Sequence, residues 1–113
     1  MLAHAHDLIS SAWTQHADAR NAAGDPVEPW HPDAVSWSLL GALVASYERL
    51  VWAEGEGAAL AELANACVVL ADVVDSGSLP AWNDAPGRSR ADVLAVLDAA
   101  AAAPRPEPQV PAN

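Results

Sequence analysis

Apolar residues recur at helical spacing in three amphipathic stretches of the chain, which suits one face of an α-helix. The first stretch covers about Leu2 to Trp13, and the second covers about Ala58 to Val74. The third covers about Arg90 to Ala103, and Ser89 just before it has the spacing of a capping-box variant with Asp92 in its first turn. The pattern predicts one helix in each stretch, with apolar faces made of Leu2, Ala5, Ile9 and Ala12, of Leu60, Leu63, Cys67, Leu70 and Val74, and of Val93, Leu94, Leu97 and Ala101.

A further stretch, from about Pro32 and Asp33 to Glu54, is apolar around most of its circumference. Pro is tolerated in a first helical turn and Asp suits the positive end of the helix dipole, so both predict a helix start. A helix without a polar face is expected in the middle of a bundle. Gly41 costs about 1 kcal/mol relative to Ala in a helix, which predicts the close approach of another backbone or a Trp ring. The expected apolar positions are Trp37, Leu39, Leu40, Leu43, Val44, Tyr47, Leu50, Val51 and Trp52.

Two long connections separate these helices, one from Thr14 to Asp33 and one from Leu79 to Ser89. The first is rich in turn residues, and Val27 between two prolines makes a poor strand. Connections of this length in a small domain are usually functional or well packed. We therefore predict an all-α fold, a compact irregular four-helix bundle with two long loops. The single helical domain spans residues 1–103, and the Pro-rich residues 104–113 are expected to form a flexible tail.

The charge of the chain narrows the possible partners. Its 113 residues include fifteen Asp and Glu, five Arg and no Lys, for a formal net charge of −10. Such a surface repels phosphate backbones and anionic membranes, so we expect no nucleic-acid or membrane binding. The acidity favours solubility, and it leaves open a nucleic-acid mimic or a binder of a basic partner.

Other features indicate a soluble cytoplasmic protein, either a monomer or a small homo-oligomer. The single cysteine, Cys67, excludes an intrachain disulfide and lies on a predicted core stripe, where it is expected to be inert. The N-terminus lacks the basic and continuous apolar regions of a secretory signal. We also find no uninterrupted run of about 20 apolar residues.

The histidines give little support for a metal site. His4 and His6 point in different directions on a helix because they are two residues apart. A site that combines one of them with His16, Asp18 or His31 is geometrically possible, but no ligand-spacing motif supports it. The sequence also has no nucleophile elbow and no phosphate loop, so we expect neither a metal nor another cofactor.

The best candidate for a site is a cleft where the two long connections would meet. Asn83 and Asp84 offer polar groups, Trp82 offers a flat apolar wall, and Arg20 or Arg88 could pair with Asp84. The predicted ligand-binding residues are Trp13, Gln15, Arg20, Trp82, Asn83 and Asp84. The structural alternative is that these polar groups satisfy the loop backbone and that both Trp residues close one end of the bundle.

Several segments resemble an uncharacterised family of small helical proteins from actinobacteria and their phages, over about Leu2 to Ala101. The strongest match is the run from Ala34 to Leu43, AVSWSLLGAL. The other matching segments are Leu8-Ile9, Trp13-Thr14-Gln15, Ala19-Arg20, Gly24-Asp25-Pro26-Val27, Trp82-Asn83-Asp84, Gly87-Arg88-Ser89 and Val93-Leu94. The family frequently has Cys where this chain has Ser38, so the resemblance implies no thiol chemistry here. It implies similar fold boundaries and no particular reaction.

Two main functions remain open at this point. The first is a non-catalytic interaction or accessory protein, because no catalytic signature is present. The second is a small cofactor-free enzyme or ligand-binding protein of specialised metabolism, with a Trp-lined pocket and an Asp or His acid–base group. An inhibitor that mimics nucleic acid through its charge is a third possibility.

Overall fold

The computed structural model describes residues 1–103, and this part of the chain is mostly helical with a small antiparallel sheet. The predicted tail, residues 104–113, lies outside the described residues. In chain order the elements are α1 (Leu2–Ser11), β1 (Ala19–Arg20), β2 (Pro26–Val27), β3 (Ser36–Trp37), α2 (Leu39–Glu54), α3 (Glu56–Val74), α4 (Leu79–Asn83) and α5 (Arg90–Ala102). The all-α prediction is therefore right about the helical framework and wrong about the long first connection.

The sheet has the strand order β2-β1-β3, and both pairings are antiparallel. Ala19 lies opposite both Val27 and Trp37, so β1 is the central strand. Each strand has only two residues, which is too short for an alternating pattern to show in the sequence. Pro26 is itself a residue of β2, and β2 is an edge strand, where a missing N–H is tolerated.

Helix α2 begins at Leu39, later than the start predicted at Pro32 and Asp33. Ser38 is the true N-cap: its backbone is extended and its hydroxyl accepts a hydrogen bond from the Gly41 N–H. Ser is among the strongest N-cap residues, and the preceding Ser36 and Trp37 gain backbone partners from β1 instead. Part of the predicted central helix is therefore a strand.

Gly41 explains how the first connection packs onto α2. A Cβ atom at this position would overlap the carbonyl oxygen of Asp18. The same oxygen accepts a hydrogen bond from the Ser38 N–H at 3.0 Å. The close approach predicted for Gly41 is thus made by a backbone, which only glycine allows.

The core forms between α1, the first half of α2, α3 and α5: α2 packs against α1 and α3, and α5 packs against the same two helices. Its largest fully buried side chains include Ile9, Leu39, Leu43, Leu70 and Leu97. The second half of α2 departs from the central-helix prediction, because Trp52 is 88% exposed.

The buried face of α3 agrees with the predicted stripe at Leu63, Cys67, Leu70 and Val74, which lie in the core or pack against it. It departs from the stripe at Leu60, which is 56% exposed, while Ala59 and Ala66 are buried. These small residues allow neighbouring helices to approach closely. By length and mean hydropathy α3 also resembles a membrane span, although a soluble helix can meet the same criteria.

The second long connection is not all loop as expected, because it contains the short helix α4. Ser78 caps it by accepting from the Ala81 N–H, and Pro80 lies in its first turn. This Ser-x-Pro pattern is a helix start signal. The capping box of α5 is confirmed, since Ser89 and Asp92 each accept the other's backbone N–H.

Candidate functional site

The two long connections meet at Asn83, the last residue of α4. Its side chain is completely buried. The carbonyl oxygen Oδ1 accepts from Trp13 Nε1 at 2.8 Å and from the Leu39 N–H at 3.0 Å. The amide Nδ2 donates to the Thr14 carbonyl at 3.2 Å and to Asp84 Oδ1 at 2.9 Å. All four hydrogen-bonding positions of the amide are occupied by the chain itself. We call Asn83 with these four partners the Asn83 junction.

Gln15 strengthens the same contact from the first connection. Its Nε2 donates to the backbone carbonyls of Asn83 at 3.0 Å and Ala85 at 3.2 Å. The side chain thus joins the first connection to the backbone of the second. This role for Gln15 is structural, as the structural alternative expects.

Arg20 is close to the junction but does not pair with Asp84, so that part of the prediction is wrong. Its guanidinium donates to Thr14 Oγ1 at 2.9 Å and to the backbone carbonyls of Gly24 and Gln15 at 2.9 and 3.1 Å. Arg20 lies in β1, and its hydrogen bonds hold together the loops on either side of this strand. A guanidinium has several N–H donors in one plane, so it can bind the carbonyl groups of a tight loop as well as a carboxylate.

Arg88 likewise binds the second connection and not Asp84. Its Nε donates to the Trp82 carbonyl at 2.9 Å, and the guanidinium carbon lies 4.0 Å from the centroid of the Trp82 ring. This cation–π contact covers one face of the indole. The two tryptophans of the predicted cleft are therefore used internally, Trp13 by the junction and Trp82 by Arg88.

Asp84 is a predicted site residue that lines a cleft. Its Oδ1 accepts from the His16 N–H at 2.9 Å, and its Oδ2 lies 3.8 Å from His16 Nδ1. Partial burial raises the pKa of Asp84, but the hydrogen bonds from His16 and Asn83 outweigh it and hold the pKa below its usual 3.8. Asp84 is therefore a stable carboxylate and a poor proton donor at neutral pH.

His16 is the functional candidate that the predicted site missed. Its backbone has φ of 63°, which is uncommon for a residue other than glycine. Its side chain is 71% exposed. It borders a cleft of about 410 Å³ together with Ala17, Asp18, Ser38, Pro80 and Asp84. Strained backbone at a cleft is a known feature of functional sites, and no sequence pattern signals it.

A second, more open cleft of about 690 Å³ shares His16 and Asp18 and extends past Trp30 and His31. Among residues 1–103, no group of three His, Cys, Asp or Glu side chains is arranged to hold a metal ion. The histidines of α1 lie elsewhere: His4 Nδ1 is 2.8 Å from Ser46 Oγ, and His6 Nε2 is 3.2 Å from Asp98. Burial of the Cys67 thiol raises its pKa, which disfavours the reactive thiolate.

The six predicted residues thus lie close together, but the structure alone does not make them a binding site. Trp13, Gln15 and Asn83 hold the connections together, while Arg20 and Trp82 support their own loops. Asp84 and His16 line a cleft. Ligand binding by this set remains a prediction.

The comparisons with known proteins give one match. The family DUF6197, described as a family of unknown function, matches residues 1–103. No curated protein and no solved structure matches the chain. The match covers most of the sequence and all of the described fold, and therefore the chain belongs to the DUF6197 family.

Proposed function

We propose that this protein is a non-catalytic interaction protein that presents a helix surface to a macromolecular partner. The observation that carries the proposal is the outward side of α3, where Leu60 is 56% and Val68 is 62% exposed. Gly57, Ala61 and Ala64 are exposed on the same side, and we call these five residues the outer face of α3. A contiguous exposed apolar patch on a small domain usually marks an interaction surface.

The Asn83 junction supports the same proposal, because its polar groups are not available to a substrate. The polar side chains that looked most suited to chemistry make their hydrogen bonds within the chain. Asn83 is completely buried, and its amide has a partner within the chain at every hydrogen-bonding position, so it has no group left to bind a substrate. The apolar surface is therefore the better candidate for the working part of the molecule.

One observation favours a second candidate function, a small cofactor-free enzyme or ligand-binding protein. The His16 and Asp84 side chains lie together at an open cleft, and His16 has the strained backbone described above. An imidazole beside a carboxylate can act as a general base. This alternative needs a ligand whose binding depends on His16.

Two parallel screens separate these functions. The first selects binding peptides from a display library, with Leu60→Gln and Val68→Gln variants as counter-selection. The second measures the thermal midpoint of the wild type and of His16→Ala with a metabolite library. We expect peptides that lose binding to the α3 variants, and no metabolite effect that depends on His16. A metabolite that stabilises only the wild type, without peptide enrichment, would establish the second function instead.

A further inference from the structure

We propose that the outer face of α3 binds a basic amphipathic helix of a partner protein. This inference rests on the proposed function and adds the chemistry of the partner to it. Three observations carry it: the spacing of the exposed apolar residues, the absence of positive charge in the surrounding segment, and the acidic C-terminal end of the helix.

The spacing on the outer face is that of a helix-packing seam. Gly57, Ala61, Ala64 and Val68 follow one another at intervals of four, three and four residues. This 3.5-residue period is the repeat by which two helices pack along one another. Leu60 lies beside the seam and adds a large apolar side chain. The small residues leave room for side chains of a facing helix, as knobs fit into holes.

The segment around α3 carries only negative charge. From Leu50 to Gly87 the sequence has no Lys, Arg or His, although it has six carboxylates. Four of them are exposed near the two ends of the helix, namely Glu54, Glu56, Asp72 and Asp75. Complementary charge steers association and rejects partners of the same charge. The apolar face with acidic ends therefore fits a helix with an apolar stripe and flanking Lys or Arg.

The C-terminal end of α3 adds to this field. The helix dipole places partial negative charge there, and cations are normally favoured in the last turn. This last turn contains no basic residue, and Asp72 and Asp75 lie at the same end. A cationic partner relieves this accumulation of negative charge, which the chain itself leaves uncompensated by any basic residue of α3.

The same charge argument disfavours two other occupants. A second copy of the chain would bring the same acidic helix ends to the interface, and each copy has a formal charge of −10. An anionic membrane surface would repel the same carboxylates, despite the apolar character of α3. Both remain outcomes that the experiment can detect.

The test uses three labelled synthetic peptides of about 20 residues, with one leucine heptad seam and three different flanks. The flanks are Lys and Arg, Glu, or Gln. Fluorescence anisotropy with the full chain gives the Kd of each peptide. We expect the cationic peptide to bind at least about tenfold more tightly than the other two. We also expect its Kd to weaken as salt is raised, because screening reduces attraction between exposed charges.

Two variants map the contact, and a third controls for the substitution itself. Leu60→Gln and Val68→Gln should each weaken cationic-peptide binding about fivefold or more, since each removes apolar contact area. Val35 is also an exposed valine but lies outside α3, so Val35→Gln should leave the Kd unchanged. Circular dichroism checks that all three variants are folded.

Each contrary result has a distinct meaning. Equal binding of the Gln- or Glu-flanked peptide, lost in Val68→Gln, overturns the basic partner but keeps the interaction function. Absence of binding by all three peptides overturns the basic-helix proposal, while the display selection still tests the interaction function separately. A dimer in sedimentation that Val68→Gln disrupts identifies a second copy as the occupant. Binding to anionic lipid vesicles that Val68→Gln disrupts identifies a membrane, and either result overturns the proposal.

Discussion

The Asn83 junction and the outer face of α3 show opposite relations between side-chain chemistry and surroundings. Asn83 is polar and completely buried, and its amide has a partner at each hydrogen-bonding position. Leu60 and Val68 are apolar and lie more than half exposed. A buried polar group is tolerated when it is fully hydrogen-bonded, and an exposed apolar face lowers its free energy when a partner covers it. The first region therefore holds the fold together, and the second is the surface that we propose for binding.

The largest expected effect comes from breaking the junction. Asn83→Leu removes the acceptor of Trp13 Nε1 and the Leu39 N–H together with the donor to Thr14. Each buried group left without a partner costs about 1–3 kcal/mol, so we expect a loss of about 4 kcal/mol in urea unfolding. Asn65→Leu makes the same change at an exposed helical position and should stay within about 0.5 kcal/mol. Equal effects of the two changes would show that the junction is not structural.

The packing of the first connection onto α2 gives the next effect. Gly41→Ala places a methyl group against the Asp18 carbonyl and should destabilise the fold by about 3 kcal/mol. Gly57 is also helical but has open space around it, so Gly57→Ala should stabilise the fold by up to about 1 kcal/mol. Chemical denaturation of both variants measures the difference. An unchanged midpoint for Gly41→Ala would contradict the close approach.

Asp84 tests whether the cleft side of the junction is structural. Asp84→Asn keeps an oxygen that can accept from His16 and Asn83, so we expect a loss of about 1 kcal/mol or less. Because folding lowers the pKa of Asp84, its contribution is fully present above the usual pKa of 3.8 and is lost as the pH falls through the lower folded value. Urea unfolding of both proteins at several pH values should show that the difference in their free energies of unfolding becomes smaller in acid. A difference that becomes larger in acid contradicts the lowered pKa.

His4 gives a smaller effect at milder pH. Burial is the main cause that lowers the pKa of His4, and the nearby positive charge of Arg49 adds to it. The folded state therefore favours the neutral ring of His4. The contribution of this ring to the stability of the fold is fully present above the usual pKa of 6.5 and decreases as the pH falls below it. The pKa can be measured by NMR titration of the ring. A value above 6.5 would contradict the structure at this contact.

The sequence predicts some features well because their signals are local. Ser89 and Asp92 are three residues apart, so their capping box can be recognised directly in the sequence. A glycine within a helical stretch, such as Gly41, by itself indicates a close contact. The start of α2 was mispredicted because Pro32 and Asp33 are plausible at a helix start, and the pairing of Trp37 with Ala19 is not visible from local sequence. The exposure of Leu60 and the burial of Ala59 and Ala66 are not predicted by the sequence, because they reverse the usual preference of large apolar residues for the core.

The sequence predicts which residues of the candidate site lie close together, but it does not predict which hydrogen bonds they make. Turn residues and two Trp residues indicated that the connections contain special positions, and Asn83 with Gln15 does lie where they meet. The partners of Arg20 depend on how its loop closes, and the hydrogen bond from the His16 N–H to Asp84 joins residues that are far apart in the sequence. These are three-dimensional properties without a local sequence signal.

Hydrogen–deuterium exchange with and without the cationic helical peptide compares the two regions in one measurement. We expect slower exchange in α3 on peptide addition, because binding suppresses local opening of this helix. We expect unchanged exchange in the segments that contain His16 and Asp84. Slower exchange in those two segments with α3 unaffected would place the binding surface at the cleft and overturn the proposed role of α3.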